Sequence, residues 1–273
     1  MRKFLAILSI MLISNCVFAE DWNSEAALKR VNTIGTKLLK ASNIQQPIEF
    51  KVSDQEDINA YANLEKEVYV YKGLLQYVND DTELAAVISH EIGHILNGHC
   101  AKQGVLNTGI AIVASKAAEK YNQTAVAAAQ QLTVTKISRS DEFEADLTGV
   151  DIMSKAGYNP LAMVSVLNKI CGNYIDILQT HPSGEKRLMN IYNYVSYNNP
   201  TQIQKGFNSE SYTKALMVIT PNVEKRNKSK RLQNKFEKEQ KKLIEKKVKR
   251  AQKMQKRNTI WDGYYTALTL MAS

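Results

Sequence analysis

The sequence predicts a mainly α protein with a small β-sheet, an α+β domain followed by a basic helical extension. Three observations predict it. Apolar residues recur at helical spacing through most of the chain. Two short runs, residues 48–52 and 68–71, are instead rich in strand formers. The last quarter is charged, helix-forming and almost free of Gly and Pro. The 273 residues are ample for one sizeable core with length left for an appendage. With 44% hydrophobic and 23% charged residues, the composition is that of a globular protein.

Residues 1–19 read as a secretory signal. Arg2 and Lys3 form a charged start, residues 4–13 are apolar but short for a bilayer span, and Val17-Phe18-Ala19 suits cleavage before Glu20. In a bacterium such export places the mature chain in the periplasm. Lipid anchoring through Cys16 is the weaker alternative, because Asn15 is a poor residue just before a lipidated Cys. Cys100 and Cys171 remain after cleavage, and an oxidising compartment permits a disulfide between them. Two buried thiols fit the sequence equally well.

Residues 22–41 have Leu28, Val31, Ile34 and Leu38 at helical spacing, ending at Ser42-Asn43. The two strands follow. Asp80-Asp81-Thr82-Glu83 is a helix start, an Asp cap with Glu three residues on. Leu84, Ile88, Ile92 and Ile95 would pack that helix into the core. Residues 105–135, rich in Ala, Ile and Val, read as one or two helices, either core or a flap over a cleft. A helix over 138–156 would end at Gly157, with Pro160 beyond it. Further helices fill 160–171 and 183–196, the latter with Ser183 as a possible cap.

Charge is uneven. Residues 222–257 hold 16 Lys and Arg against 4 Asp and Glu, so this segment carries +12 of a chain whose net charge is +9 and leaves −3 elsewhere. A basic helix is expected there, with a weak apolar stripe of Leu232, Phe236, Leu243, Ile244 and Val248. Such a helix could bind anionic lipid head groups or an acidic partner, or be a solvated extension. Nucleic acid is not expected as a partner of an exported chain. The expected organisation is a signal over 1–19, a domain over 20–200 and an extension over 201–273.

The chemistry concentrates in His90-Glu91-Ile92-Gly93-His94. On a helix, residues four apart share a face, so His90 and His94 can offer two imidazole nitrogens to one metal ion. Glu91 sits beside them, placed to take a proton from water at the metal. This is the pattern of a zinc peptidase, which needs a third protein ligand and an open fourth position. His99 lies five residues past His94 and points away if the helix continues, although Gly98 could break it. The spacing of the metzincins fails, since Asn97 and Cys100 stand where Gly and His are required. Glu142 is the better candidate. Asp146, one turn later on the same face, could accept the free ring N–H of a ligand histidine. Glu144 is two residues off and would face elsewhere. His181, before Pro182, could stabilise an oxyanion, could occupy the open metal position at rest, or could be a plain loop residue.

These blocks resemble the HtpX/BepA-type and CAAX-prenyl-protease-type zinc metallopeptidases of the gluzincin group. The resemblance covers about residues 25–195 and rests on His90-Glu91-Ile92-Gly93-His94, on Ser138-Arg139 with Glu142, Ala145 and Asp146, and on His181-Pro182-Ser183 with Arg187. It implies one Zn2+ held by His90, His94 and Glu142, with Glu91 as general base and Asp146 in support. It implies a regulatory or transition-state role for His181, and Arg187 tying that loop to the core. It also implies, as substrates, unfolded or misassembled envelope proteins. Many relatives carry a Gly-Gly turn where this chain has Asn63-Leu64-Glu65-Lys66-Glu67, which puts the adjoining substrate-aligning strand in question. The alternative reading is a periplasmic chaperone or adaptor with latent protease activity.

Overall fold

The computed structural model describes residues 23–78, 80–104, 138–173 and 184–272, with no side chains described for 171–173 or after Lys253. The expected signal segment with Cys16, the helices over 105–135, His181, the Ser183 cap and the side chain of Cys171 lie outside the described residues.

Helix α1 (Ser24–Ala41) starts where the Asn23 side chain accepts the Ala26 N–H at 2.9 Å. Its Val31, Ile34 and Leu38 are buried. Strands β1 (Glu49–Ser53), β2 (Ala60–Ala62) and β3 (Glu67–Tyr71) form one sheet in the order β1-β3-β2. β1 runs parallel to β3, pairing Phe50 with Val68, and β2 runs antiparallel to it, pairing Tyr61 with Tyr69. Those two tyrosine rings stack at 4.9 Å.

The turn between β2 and β3 works without a Gly pair. The Asn63 N–H donates to the Glu67 carbonyl, the Asn63 carbonyl accepts the Lys66 N–H, the Asn63 side-chain oxygen accepts the Glu67 N–H at 2.9 Å, and Lys66 takes the positive φ of 65°. An asparagine supplies the local polar group that a tight turn requires. The turn thus joins β2 to β3, and the three residues of β2 pair antiparallel with it.

A short helix α2 (Lys72–Tyr77) leads to α3 (Asp81–Leu96), which is buried at every residue from Glu83 to Ile95. A helix apolar or buried all round belongs in the middle of a domain. Asp80 caps it, accepting from Thr82 and Glu83 N–H at 2.7 and 3.0 Å. Glu83 does not complete the expected reciprocal cap. Its carboxylate takes the Ser165 hydroxyl at 2.6 Å and the Lys169 ammonium at 2.8 Å instead.

Helix α4 (Arg139–Lys155) opens with a full capping box, Ser138 with Asp141. Helices α5 (Ala162–Asn173), α6 (Glu185–Asn198) and α7 (Pro200–Lys205) follow. The basic segment is two helices, α8 (Glu210–Asn227) and α9 (Lys230–Ala272), rather than one. The break falls at Lys228-Ser229, where Ser229 Oγ accepts the Leu232 N–H at 3.4 Å. Tyr212, Ala215 and Ile219 of α8 are buried in the same core as α3 and α5. The expected boundary at 201 is thus not where the core ends. Leu243 and Ile244 of α9 pack against that core, and the Phe236 ring meets Tyr197 edge-on. Val248, expected in the same stripe, is 51% exposed. No described helix is long and apolar enough to cross a membrane.

Candidate active site

Helices α3 and α4 cross in close contact, and the crossing builds the site. His90, Glu91 and His94 on α3 and Glu142 and Asp146 on α4 are all buried. His90 Nε2 and His94 Nε2 stand 3.0 Å apart, a distance at which they converge on one point. Glu142 faces both, with Oε2 3.5 Å from His90 Nε2 and Oε1 3.3 Å from His94 Nε2. Donors held about 2.0–2.1 Å from a tetrahedral zinc stand about 3.3 Å from one another. The three spacings here fit that geometry, and the set of two imidazoles and one carboxylate suits zinc.

Behind these groups lies a second layer. His90 Nδ1 is 2.9 Å from Asp146 Oδ1. Arg187 of α6 donates to both Asp146 oxygens, Nε at 2.8 Å and Nη2 at 2.7 Å, and its Nη1 lies 2.7 Å from Glu142 Oε2. One guanidinium therefore fixes the carboxylates of both α4 residues. Burial works against ionising Asp146, yet Arg187 and His90 outweigh it and hold its carboxyl below the usual range. Burial likewise opposes charge on His90, but Asp146 and Glu142 raise it to about 10. His94 goes the other way, to about 4, chiefly through burial.

The structure thus brings together five of the residues singled out in the sequence, His90, Glu91, His94, Glu142 and Asp146, with Arg187 against them. His181 lies outside the described residues. Two further residues have places here that helical spacing did not reveal. α3 stops at Leu96, Gly98 takes φ 70°, and His99 turns back so that its Nδ1 lies 3.0 Å from His94 Nδ1. Glu144 stays outside the His90, His94 and Glu142 group, as expected, and its Oε2 lies 3.3 Å from His99 Nε2. The one available signal was Gly98, a residue type that commonly ends helices.

Residues 25–195 match the profile of peptidase family M48. The chain is 27% identical over 190 residues to a beta-barrel assembly-enhancing protease of Yersinia pestis, covering 62% of this chain and 39% of that one. It is 26% identical over 202 residues to the protein of the same name in Escherichia coli (strain K12), covering 67% and 42%. It is 31% identical over 186 residues to the metalloprotease LoiP of the same organism, covering 64% and 72%. The chain spans about two fifths of the length of the assembly-enhancing proteases it matches. The match over 25–195 takes in His90, Glu91, His94, Glu142, Asp146 and Arg187, and on it the chain belongs to peptidase family M48.

Proposed function

We propose that the chain is an exported zinc endopeptidase that hydrolyses peptide bonds in unfolded or misassembled cell-envelope proteins. The observation that carries this reading is the convergence of His90, His94 and Glu142 on one point, with Glu91 the next residue after His90 on the same buried helix. His90, His94 and Glu142 would hold the ion, which when bound supplies a Lewis acid to polarise the scissile carbonyl. Glu91 takes a proton from the attacking water and delivers it to the leaving amine. Asp146 and Arg187 hold His90 and Glu142 in register. His181 is assigned, from the family resemblance, to stabilising the oxyanion or capping the metal at rest. The beta-barrel assembly-enhancing proteases among the relatives support an envelope setting and client class.

The exposed side of α9 carries Lys235, Lys238, Lys242, Lys246 and Lys249 at spacings of three and four residues. This stripe supports a peripheral attraction to anionic head groups, which added salt should weaken.

The decisive experiment is Glu91→Gln in the zinc-loaded chain, with an unfolded protein as substrate. Cleavage should fall by about 10²- to 10⁴-fold while one zinc per chain is retained. Full rescue of a null strain by that variant would point to a chaperone or adaptor instead.

A further inference from the structure

Beside the catalytic set stands a further group of titratable side chains, the buried His99 and Asp141 with the partly buried Glu144 and Arg250 of α9. His99, Asp141 and Glu144 lie close enough to suggest a second metal position. That position is already neutralised. Lys102 Nζ sits 2.8 Å from Asp141 Oδ2, Arg250 pairs with Glu144, and one ring nitrogen of His99 is turned to His94.

The same contacts make sense as a relay. A histidine that ligates through Nε2 carries its proton on Nδ1, and the partner of that N–H fixes the ring. For His90 the partner is Asp146, held by Arg187. For His94 it is His99 Nδ1 at 3.0 Å, which must then accept and carry its own proton on Nε2. His99 Nε2 lies 3.3 Å from Glu144 Oε2, a carboxylate paired with Arg250 Nη1. Arg250 Nη2 also lies 3.4 Å from His99 Nε2, but a protonated Nε2 cannot accept from it, so the guanidinium acts on His99 through Glu144. Each candidate ligand imidazole is therefore backed by a carboxylate that an arginine holds, directly in one case and through a second imidazole in the other.

We infer that His99 is a positioning residue for the His94 imidazole, and that Arg250 of the basic C-terminal helix locks it in place. The inference rests on the zinc-peptidase reading. It ties a helix outside the matched residues 25–195 to the geometry of the metal centre. Arg250 is 33% exposed in its side chain, so water screens its pair with Glu144, and its effect should be smaller than that of His99.

The test uses the full mature chain loaded with Co2+ in place of zinc, read by its visible absorption, by the rate of metal transfer to a chelator, and by melting temperature. His99→Phe should shift the cobalt bands and speed release about tenfold. His99→Gln, which can still accept the His94 N–H, should recover part of both. Arg250→Met should speed release several-fold with melting unchanged, and Arg250→Lys should recover it. Lys247→Met loosens the same helix at Asp151 and Tyr194 without touching His99, and should leave the bands and the rate as they were. Wild-type bands and rates in His99→Phe would overturn the inference. So would an Arg250→Met variant no different from Lys247→Met, because Arg250 would then only dock the helix. A wild-type chain that binds neither Co2+ nor zinc would sink the underlying zinc-peptidase reading as well.

Discussion

Gly93 of α3 lies directly against the backbone of Ala145 of α4. A Cβ on Gly93 would stand 2.6 Å from the Ala145 carbonyl oxygen and 3.0 Å from its Cα. Backbone cannot swing aside as a flexible side chain can, so the two helices would have to separate. That separation moves Glu142, three residues before the contact on α4, away from His90 and His94, which lie three residues before and one after it on α3. Gly93→Ala should destabilise the fold by about 1–3 kcal/mol, the usual cost of overpacking. It should also lose zinc affinity, which a helix-propensity effect would not cause. Metal content after dialysis, beside a melting curve, checks both.

Arg187 pairs with two buried carboxylates, Asp146 and Glu142, neither of which is exposed at all. Arg187→Met keeps most of the volume and removes the charge. In the metal-free chain the loss should be about 3–5 kcal/mol, the cost of leaving buried charge uncompensated. With zinc present the ion takes over part of that compensation at Glu142, so the loss should be smaller. Urea unfolding of variant and parent, each with and without zinc, gives the difference.

The site was legible because two of its requirements are local. His90 and His94 share a helical face by spacing alone, as do Glu142 and Asp146, and converting spacing to geometry needs only the helix period. What spacing could not show is where one helix stops and what another brings. The helical period left His99 open, pointing away if α3 continued and turned if Gly98 broke it, and the break at Gly98 decides it. Glu83 fitted a capping box, but a partly buried Lys169 and the Ser165 hydroxyl outcompete a local N–H for its carboxylate. β2 is a strand only through its pairing with β3, and Ala-Tyr-Ala is too short to carry a period. Arg187 has no local signature, and its place was implied by the family resemblance.

Tyr194 predicts the alkaline limit of the fold. Its hydroxyl donates to Asp151 at 2.9 Å, and burial first, then that carboxylate, push its pKa well above the usual value. Tyr212 is pushed up to about 12, mainly by burial. An unfolded tyrosine loses its proton near pH 10, so above that the folded chain binds more protons and stability falls as pH rises. Lys247 beside Tyr194 has a lowered pKa and acts in the opposite sense, but only below about 10.5, where an unfolded lysine is still charged. Between about pH 10.5 and 12, Tyr194→Phe should therefore lose stability less steeply than the parent, with Tyr212→Phe also shallower. Equal slopes in chemical denaturation across that window would contradict the placement of both rings.

Metal removal should be a stability experiment as well as an activity one. The three candidate ligands come from two helices, and an unfolded chain does not hold them near each other, so zinc binds the native state in preference. At a free zinc concentration 1,000 times the dissociation constant the gain is about 4 kcal/mol. A chelator should lower the melting temperature of the parent and of Glu91→Gln by the same amount, since Glu91 is assigned to the proton and not to the ion. It should leave His94→Ala almost unmoved, because a site with two ligands no longer outcompetes the chelator. A parent whose melting temperature ignores both zinc and chelator would contradict the assignment of His90, His94 and Glu142 as a metal-binding set.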